Sequence, residues 1–302
     1  MNTGTRNRTA LLAAVVVIVA LAGGGYAWWW QQRPAAPVGE LVRGGDGGGL
    51  PRATPQAEDF DPRALAAALK AAQDEGAHLI LVSRHGHLVA DYYASGYDAQ
   101  RALDAGGFAD ALVGMAGGVA LHEHLIDTDA LRQFDPARVS AAIATAAKTS
   151  YAVYLSQHIW QPLNAADAHV AACCFQARAS DWLRVAELLM QDGRFEGRDV
   201  LPKGWAAVMQ GRDATGMKGL GVWLPPSVRG GEPFAGDGVT YLKGPQRWRL
   251  WLVPTLDLAI LFGADDLPGG ARWNETRLPN LVTWAVKERA THDPHAGMPG
   301  AR

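Results

Sequence analysis

The 302-residue chain carries 28 Lys and Arg against 30 Asp and Glu, a net charge of -2, and 48% of its residues are hydrophobic. This composition predicts one globular domain with a sizeable core. Because the basic residues are scattered and balanced by acids, the chain lacks the clustered positive charge that a nucleic-acid-binding protein needs, and that class is excluded.

The N-terminus has the pattern of a membrane anchor. Residues 1–8 form a basic flank with Arg6 and Arg8, and residues 9–30 form an uncharged run that ends in three tryptophans. About 20 apolar residues span a bilayer. Arginines favour the cytoplasmic side and tryptophans the opposite interface. We therefore expect a single-pass protein of the inner membrane whose C-terminal domain is periplasmic or extracellular.

A cleaved signal peptide is the alternative interpretation of the same run. Ala20-Leu21-Ala22 fits a cleavage site, and residues 10–19 would be its apolar region. The uncharged run continues past this site to spanning length, which favours an uncleaved anchor. Both interpretations predict export of the domain that follows.

Two segments have the composition of flexible chain. Residues 31–58 are rich in Pro, Gly and Ala and predict a flexible linker, because such a sequence buries too little apolar surface to order itself. Residues 291–302 predict a disordered polar tail. The folded domain is therefore expected over residues 59–290.

The first half of this domain predicts a helix, a hairpin and a second helix. Asp61-Pro62 has the residue types that open a helix. Residues 78–82 and 88–93 predict two strands joined at His85-Gly86. Residues 109–125 predict a buried helix, in which Gly114, Gly117 and Gly118 would allow close backbone approach.

The second half predicts helices, a meander and a final helix. The helical segments are 138–148, 152–160, 181–192 and 278–289, and the strands of the meander are 239–242, 247–253 and 256–262. This order predicts an α+β domain, in which early and late strands join one antiparallel sheet flanked by helices.

Seven segments of the folded part carry the motifs of one known family. They are residues 79–89, 112–116, 154–163, 179–189, 192–197, 201–205 and 252–259. In order and content they resemble the β-lactamase-related serine hydrolases, which include class C β-lactamases, DD-peptidases and aminohexanoate-oligomer hydrolases. The resemblance implies a β-lactamase/transpeptidase-like fold. Since these are framework motifs, they support the fold more strongly than an activity.

The catalytic motifs of that family are degenerate. The family acylates a serine on the first turn of the buried helix, with a lysine three residues later on the same helix face. No Ser-x-x-Lys exists in this chain. The resemblance places the serine position at Leu103 and the lysine position at Gly106, neither of which can do this chemistry.

The second and third motifs of the family are also reduced. No Tyr-x-Asn or Ser-x-Asn is present. The stretch between the buried helix and Tyr154 is short for the family, which predicts a reduced helical lobe. The third motif supplies a donor for a substrate carboxylate. Tyr241, Lys243 and Gly244 stand at its place, and they are the predicted ligand-binding residues.

Other residues could supply chemistry in place of the lost motif. Thr145 and Lys148 share a predicted helix, whereas Thr240 and Lys243 share a predicted strand, where residues three apart face opposite sides. The first pair is the candidate nucleophile and amine for an active enzyme, although a solvated helix face is the simpler explanation, since the pair comes after the buried helix.

The sequence gives little indication of a metal site or of redox chemistry. His85 and His87, and the run from His122 to His124, lack the spacing of a metalloenzyme motif, so no metal and no cofactor are expected. Cys173 and Cys174 are adjacent. Because a disulfide between neighbours strains the peptide, buried free thiols are expected, and a disulfide between the two neighbours is the alternative in an oxidising compartment.

These observations predict a membrane-anchored, extracytoplasmic homologue of the β-lactamase-related hydrolases that is catalytically inactive and acts by binding. Its expected partners are the membrane, through the N-terminal helix, and an envelope peptide or small carboxylated ligand. One alternative is an active esterase, amidase or peptidase with an unrecognised nucleophile. A second is a structural interaction protein of the envelope. A surviving cleft would favour binding or hydrolysis, and a filled cleft would favour the structural role.

The anchor is tested by the intact mass of membrane-extracted protein. We expect the full-length mass, because the apolar run reaches spanning length, and digestion of the C-terminal domain by protease added to spheroplasts. A mature chain that begins near Gly23, or a protected C-terminal domain, would contradict the prediction.

Overall fold

The computed structural model describes residues 39–171, 174–211, 219–224, 233–236 and 238–287. The predicted anchor over 9–30, its basic flank and the tail over 291–302 lie outside these residues. Within them, no helix combines the length and the apolar composition that crossing a bilayer requires.

The described residues hold eight α-helices and eleven strands. The helices are α1 (Pro62–Asp74), α2 (Ala109–His122), α3 (Asp129–Arg132), α4 (Pro136–Ala147), α5 (Tyr151–Leu155), α6 (Ala179–Met190), α7 (Trp205–Met209) and α8 (Arg277–Trp284). The strands are β1 (Glu40–Val42), β2 (Leu79–Arg84), β3 (His87–Tyr93), β4 (Ala102–Asp104), β5 (Ala168–Val170), β6 (Phe175–Arg178), β7 (Arg194–Phe195), β8 (Arg198–Asp199), β9 (Thr240–Lys243), β10 (Arg249–Val253) and β11 (Leu258–Gly263).

The predicted antiparallel sheet is confirmed. Its strand order is β3-β2-β11-β10-β9, so the early hairpin joins the late meander through the β2–β11 pair. His85 and Gly86 have φ angles of 49° and 76°, and two consecutive positive φ values belong to the tight turn that matches the twist of a hairpin. The α+β architecture follows directly from this pairing.

The sheet separates two hydrophobic cores. On one face α1 packs against α8, and side chains such as Phe60, Trp251 and Phe262 fill the space between them and the sheet. The other face is covered by α6, with the buried helix α2 in the same core. Asp61 starts α1 by accepting the N–H groups of Arg63 at 2.8 Å and Ala64 at 3.1 Å, as its position predicts.

A second, four-stranded sheet was not predicted. Its order is β1-β5-β6-β4, and every strand in it is three or four residues long. Segments this short show too few alternations for a periodicity of two to be recognised. The sheet matters for the site because β4 leads directly into the start of α2.

Four aromatic rings join α6, the four-stranded sheet and the turn that precedes α2. Trp182 of α6 contacts Phe108, Phe175 and Trp160 edge to face, with ring centroids 5.3, 5.6 and 6.1 Å apart. Such pairs contribute about 0.5 to 1.5 kcal/mol each beyond the area they bury. Trp160 and Trp182 come from two of the framework motifs, so these motifs form the structural centre of the domain.

The flexible linker predicted over 31–58 is wrong for residues 39–58, which belong to the fold. β1 pairs with β5, and the glycine-rich stretch lies against the domain. Residues 39–58 are called the strap below. Gly44 N–H donates to Asp167 at 2.8 Å, and Arg178 and Arg184 donate to the carbonyls of Gly47 and Gly48. A Cβ at Gly44 would overlap the Ala165 carbonyl. The glycines of this segment let its backbone lie close to the rest of the domain. Composition alone cannot distinguish this use of glycine from flexibility.

Glu58, at the end of the strap, contacts residues of the β2–β3 hairpin. Its carboxylate is 7% exposed and lies 2.8 Å from Nδ1 of His85 and 2.9 Å from Nδ1 of His87, although the latter lacks hydrogen-bond geometry. Arg84 donates to the Glu58 carbonyl at 2.7 Å. The two histidines therefore have a carboxylate partner. No group of three or more metal-ligating side chains that could hold an ion occurs among the described residues.

A glycine-to-alanine pair in α2 tests the close packing of this helix. A methyl group at Gly118 would overlap the indole of Trp205, whereas one at Gly117 meets only the flexible end of Leu131, at 2.9 Å. We expect Gly118→Ala to lower the free energy of unfolding by about 1 to 3 kcal/mol. We expect Gly117→Ala to be near neutral, because alanine also improves helix propensity. Equal denaturation midpoints for the two variants would contradict this packing.

Candidate functional site

The position predicted for the family's serine is part of the core. Leu103 lies in the middle of β4, is 8% exposed and pairs with Ala177 of β6. The α-helix begins only at Ala109, after a 3₁₀ turn over Gly106–Phe108. The expected placement of positions 103 and 106 on one helical turn is therefore wrong. The apolar Leu103 side chain favours the inward face of a strand instead.

The start of α2 is in direct backbone contact with the end of β9. A Cβ at Gly107 would lie 2.5 Å from the Lys243 carbonyl oxygen, and one at Gly106 would lie 2.9 Å from Cδ of Pro245. Gly106 also has a φ of 49°, which side-chain-bearing residues rarely adopt. The space for a side chain at either position is thus filled by the Lys243-Gly244-Pro245 segment.

The three predicted ligand-binding residues lie along this same strand and turn. Tyr241 is buried in the core shared with α1 and α8, and its ring stacks on Trp223 at 6.4 Å. Burial raises the pKa of Tyr241 to about 12, and Glu275 adds to the shift. Lys243 is exposed, and its Nζ lies 5.1 Å from the Trp223 ring. Gly244 closes the turn by donating to the Trp248 carbonyl at 3.0 Å.

Trp223 covers the outer edge of β9. Its N–H donates to the Tyr241 carbonyl at 2.8 Å, and the Tyr241 N–H donates back at 3.0 Å. Leu242, by contrast, joins the core that contains α2. By strand alternation Tyr241 and Lys243 point to the face opposite Leu242, so these two side chains do not converge on the start of α2.

The structure adds one residue that the motif search missed. Tyr151, the first residue of α5, has a buried hydroxyl that finds no hydrogen-bond partner among the residues that the structure describes. Burial raises the pKa of this phenol, and the charge of Asp110 in the first turn of α2 adds to the effect. A search for tyrosine followed by asparagine cannot find Tyr151, because Val153 stands at the third position.

The substitute nucleophiles lack catalytic geometry. The Thr145 hydroxyl donates to the Ala141 carbonyl of its own helix at 2.9 Å. Lys148 is the left-handed residue that ends α4, so it no longer follows the helical spacing. Thr240 is buried in β9 while Lys243 is exposed, which confirms that this pair faces opposite sides.

The expectation of free thiols is wrong for Cys174, which is disulfide-bonded. Cys173 lies outside the described residues. Cys174 stands at the turn between β5 and β6, where its N–H donates to the Ala171 carbonyl at 3.2 Å and its own carbonyl accepts from the Ala171 N–H at 2.9 Å.

The fold is that of β-lactamases and penicillin-binding proteins. A Bacillus anthracis protein assigned as a 6-aminohexanoate-dimer hydrolase matches with a TM-score of 0.63 and 13% identity over 85% of this chain and 91% of its own. A class C β-lactamase from Rhodobacter sphaeroides matches with 0.52 and 12% over 76% and 99%. A penicillin-binding protein homologue from Pyrococcus abyssi matches with 0.53 and 9% over 78% and 79%. Protein-family models and curated proteins give no match.

Replacement of Lys243 tests the predicted anion contact. Its exposed amine can meet a carboxylate from solvent, so we expect Lys243→Ala to weaken muropeptide binding by the full-length protein about two- to fivefold, the range of an exposed ion pair. Titration calorimetry measures the change, with Lys203→Ala as a control at another exposed lysine. Equal affinities for wild type and Lys243→Ala would make Lys243 an ordinary surface residue.

Proposed function

We propose that this chain, which has the fold of the β-lactamase-related hydrolases, is a membrane-anchored extracytoplasmic protein that has lost acyl-transfer chemistry and acts by binding. The loss of chemistry rests on the filled start of α2, and the binding role rests on the cavities that the described residues form elsewhere. Leu103 offers no hydroxyl, and Gly106 and Gly107 lie against the Lys243-Gly244-Pro245 segment with no room for a side chain. Acylation needs a nucleophile beside a base, and positions 103, 106 and 107 hold leucine and glycine, which supply no nucleophile.

Anchoring and export are supported by the sequence. The apolar run over 9–30, the preceding arginines and the tryptophans at its end are typical of a single-pass helix with its C-terminus outside the cytoplasm. The proposed location is the inner membrane, and the proposed ligands are envelope peptides or small carboxylated molecules.

The filled catalytic position also favours a second candidate, the structural envelope protein. Such a protein would keep the two cores and the aromatic centre and would need no ligand. The two candidates differ in whether any cavity of the domain takes up a small molecule. The remaining alternative, an active hydrolase, is the least supported, because Thr145 is bonded to its own helix and Lys148 lies beyond the helix end.

Covalent labelling tests the loss of chemistry. We expect full-length protein in lipid nanodiscs to form no adduct with penicillin or fluorophosphonate probes, as measured by intact mass, while an active class C β-lactamase is labelled under the same conditions. Any serine or threonine adduct that disappears when that residue is mutated would overturn the proposal.

A restored motif provides a stricter version of the same test. We expect Gly107→Ser combined with Asp110→Lys, which places a serine and a lysine three residues apart at the start of α2, to form no acyl-enzyme, because a side chain at Gly107 meets the Lys243 carbonyl oxygen. A folded double variant that is labelled by penicillin would show that the catalytic position is open rather than filled.

A further inference from the structure

A cavity of about 780 Å³ lies beside the C-terminal end of α2, far from the filled catalytic position. Its walls include Leu121, Leu131, Phe134, Trp205, Val208 and Leu220. Leu121 is fourteen residues after Gly107, which corresponds to roughly 20 Å along the helix. This cavity is therefore distinct from the site of the family's motifs.

The glycines of α2 position the walls of this cavity. The Gly114 carbonyl accepts a hydrogen bond from Nε1 of Trp205 at 3.0 Å, and the indole lies where a side chain at Gly118 would be. Gly117 faces the Leu131 side chain in the same way. The indole is thus held flat against the helix, and its remaining surface faces the cavity. Each glycine costs roughly 1 kcal/mol of helix propensity relative to alanine.

The rim of the cavity holds two arginines and one aspartate. Arg132 and Arg138 line it together with Gln133 and Asp135. Asp135 is engaged as the cap of α4, since its Oδ1 accepts the N–H groups of Ala137 at 3.0 Å and Arg138 at 3.2 Å. Arg132 pairs with Asp129 at 2.9 Å on an exposed surface, where such a pair is weak.

Arg138 gives the rim a cation that is available to a ligand. In the part of the chain that the structure describes, no hydrogen bond or ion pair engages its guanidinium, and the residue is exposed. A guanidinium has five N–H donors in a planar fork that suits a carboxylate. An apolar pocket with a few polar groups at one side is the usual form of a small-molecule site.

A groove that is apolar in part, with His124, Asp127 and Thr145 among its lining residues, extends this cavity. A second cavity of about 950 Å³ shares Leu121 and Thr128 with it and continues past Leu125 and Ile126 along the Ala142 side of α4. The two cavities together offer an elongated, mainly apolar surface, with Arg132 and Arg138 at one side and Asp127 among the residues of the second cavity. That shape and charge complement a ligand with an extended apolar body and an anionic head.

We propose that this cavity binds a carboxylated amphiphile of the fatty-acid type, with its carboxylate at Arg132 and Arg138 and its chain against Trp205, Leu131 and Leu121. The inference rests on the proposed binding function and names its ligand class and its site. A peptide ligand or an empty cavity would be the competing outcomes of the test.

Photocrosslinking tests this assignment on the full-length protein in nanodiscs. The probes are a diazirine-bearing fatty acid and the diazirine alcohol of the same chain length, and the labelled peptides are identified by mass spectrometry. We expect the acid to label peptides that contain residues 131–138 or 205–211 at least threefold more than the alcohol does. Labelling spread over the whole chain, or equal labelling by acid and alcohol, would overturn the proposal.

Variants at the rim and the wall of the cavity distinguish the contribution of the arginine charges to probe labelling from that of the apolar walls. We expect Arg132→Gln combined with Arg138→Gln to lower labelling by the acid three- to tenfold and to leave labelling by the alcohol unchanged. Arg63→Gln on the exposed side of α1 is the matched control and should change neither. Val208 is 52% exposed, so Val208→Glu can fold, and its carboxylate should reduce labelling by the acid through repulsion. An unchanged acid signal in both rim and wall variants would contradict the site.

Acylation and crosslinking measured on the same samples distinguish a failure of the cavity assignment from a failure of the proposed function. An adduct with penicillin or fluorophosphonate, formed without irradiation, would contradict the loss of acyl-transfer chemistry and would leave the cavity assignment intact. Absent crosslinks together with absent acylation would overturn the cavity assignment alone, and would favour the structural envelope protein.

Discussion

The rest of the domain depends on one feature of α2: neighbouring segments pack directly against its backbone at the glycines, where no side chain stands between them. At its start, Gly106 and Gly107 admit the end of β9, and further along Gly114, Gly117 and Gly118 admit Trp205, Leu131 and the backbone of Leu220. A helix that holds glycine at these positions gives up intrinsic stability, which tertiary packing must offset. The burial of Trp205, Leu131 and the β9 turn supplies that packing. The neighbours of α2 therefore sit where its side chains are missing.

This packing has opposite effects at the two ends of the helix. At the N-terminal end it removes the room in which a serine and a lysine would act, since backbone from β9 occupies it. At the C-terminal end it fixes an indole as the wall of a cavity with arginines at the rim. Among the described residues, the cavity beside Trp205 thus lies at the end of α2 opposite the segment that carries the family's motif positions. Fold similarity alone does not reveal the place of such a cavity, because function resides in the site.

The sequence predicts the long elements well because their periodicities extend over enough residues. The hairpin, the meander and helices α1, α2, α4 and α6 are all found close to their predicted bounds. The strap was misread because glycine has two uses, flexibility and close approach, and only the neighbours decide between them. That Leu103 cannot act as a nucleophile follows from its side chain alone, whereas its place on a strand could not be read from the motif alignment. Tyr151 and the cavity depend on contacts between distant segments, which no local pattern records.

The strap over residues 39–58 has a practical consequence for work with shortened forms of the protein. A chain that begins at residue 59, where composition suggests a domain boundary, would lack β1 and would leave Arg178 and Arg184 without the carbonyls of Gly47 and Gly48. The buried Arg184 and Asp181 would then face solvent or an empty groove, and the edge of β5 would lie open to pairing with other chains. Such a fragment is expected to aggregate, and a start upstream of Gly39 avoids this loss.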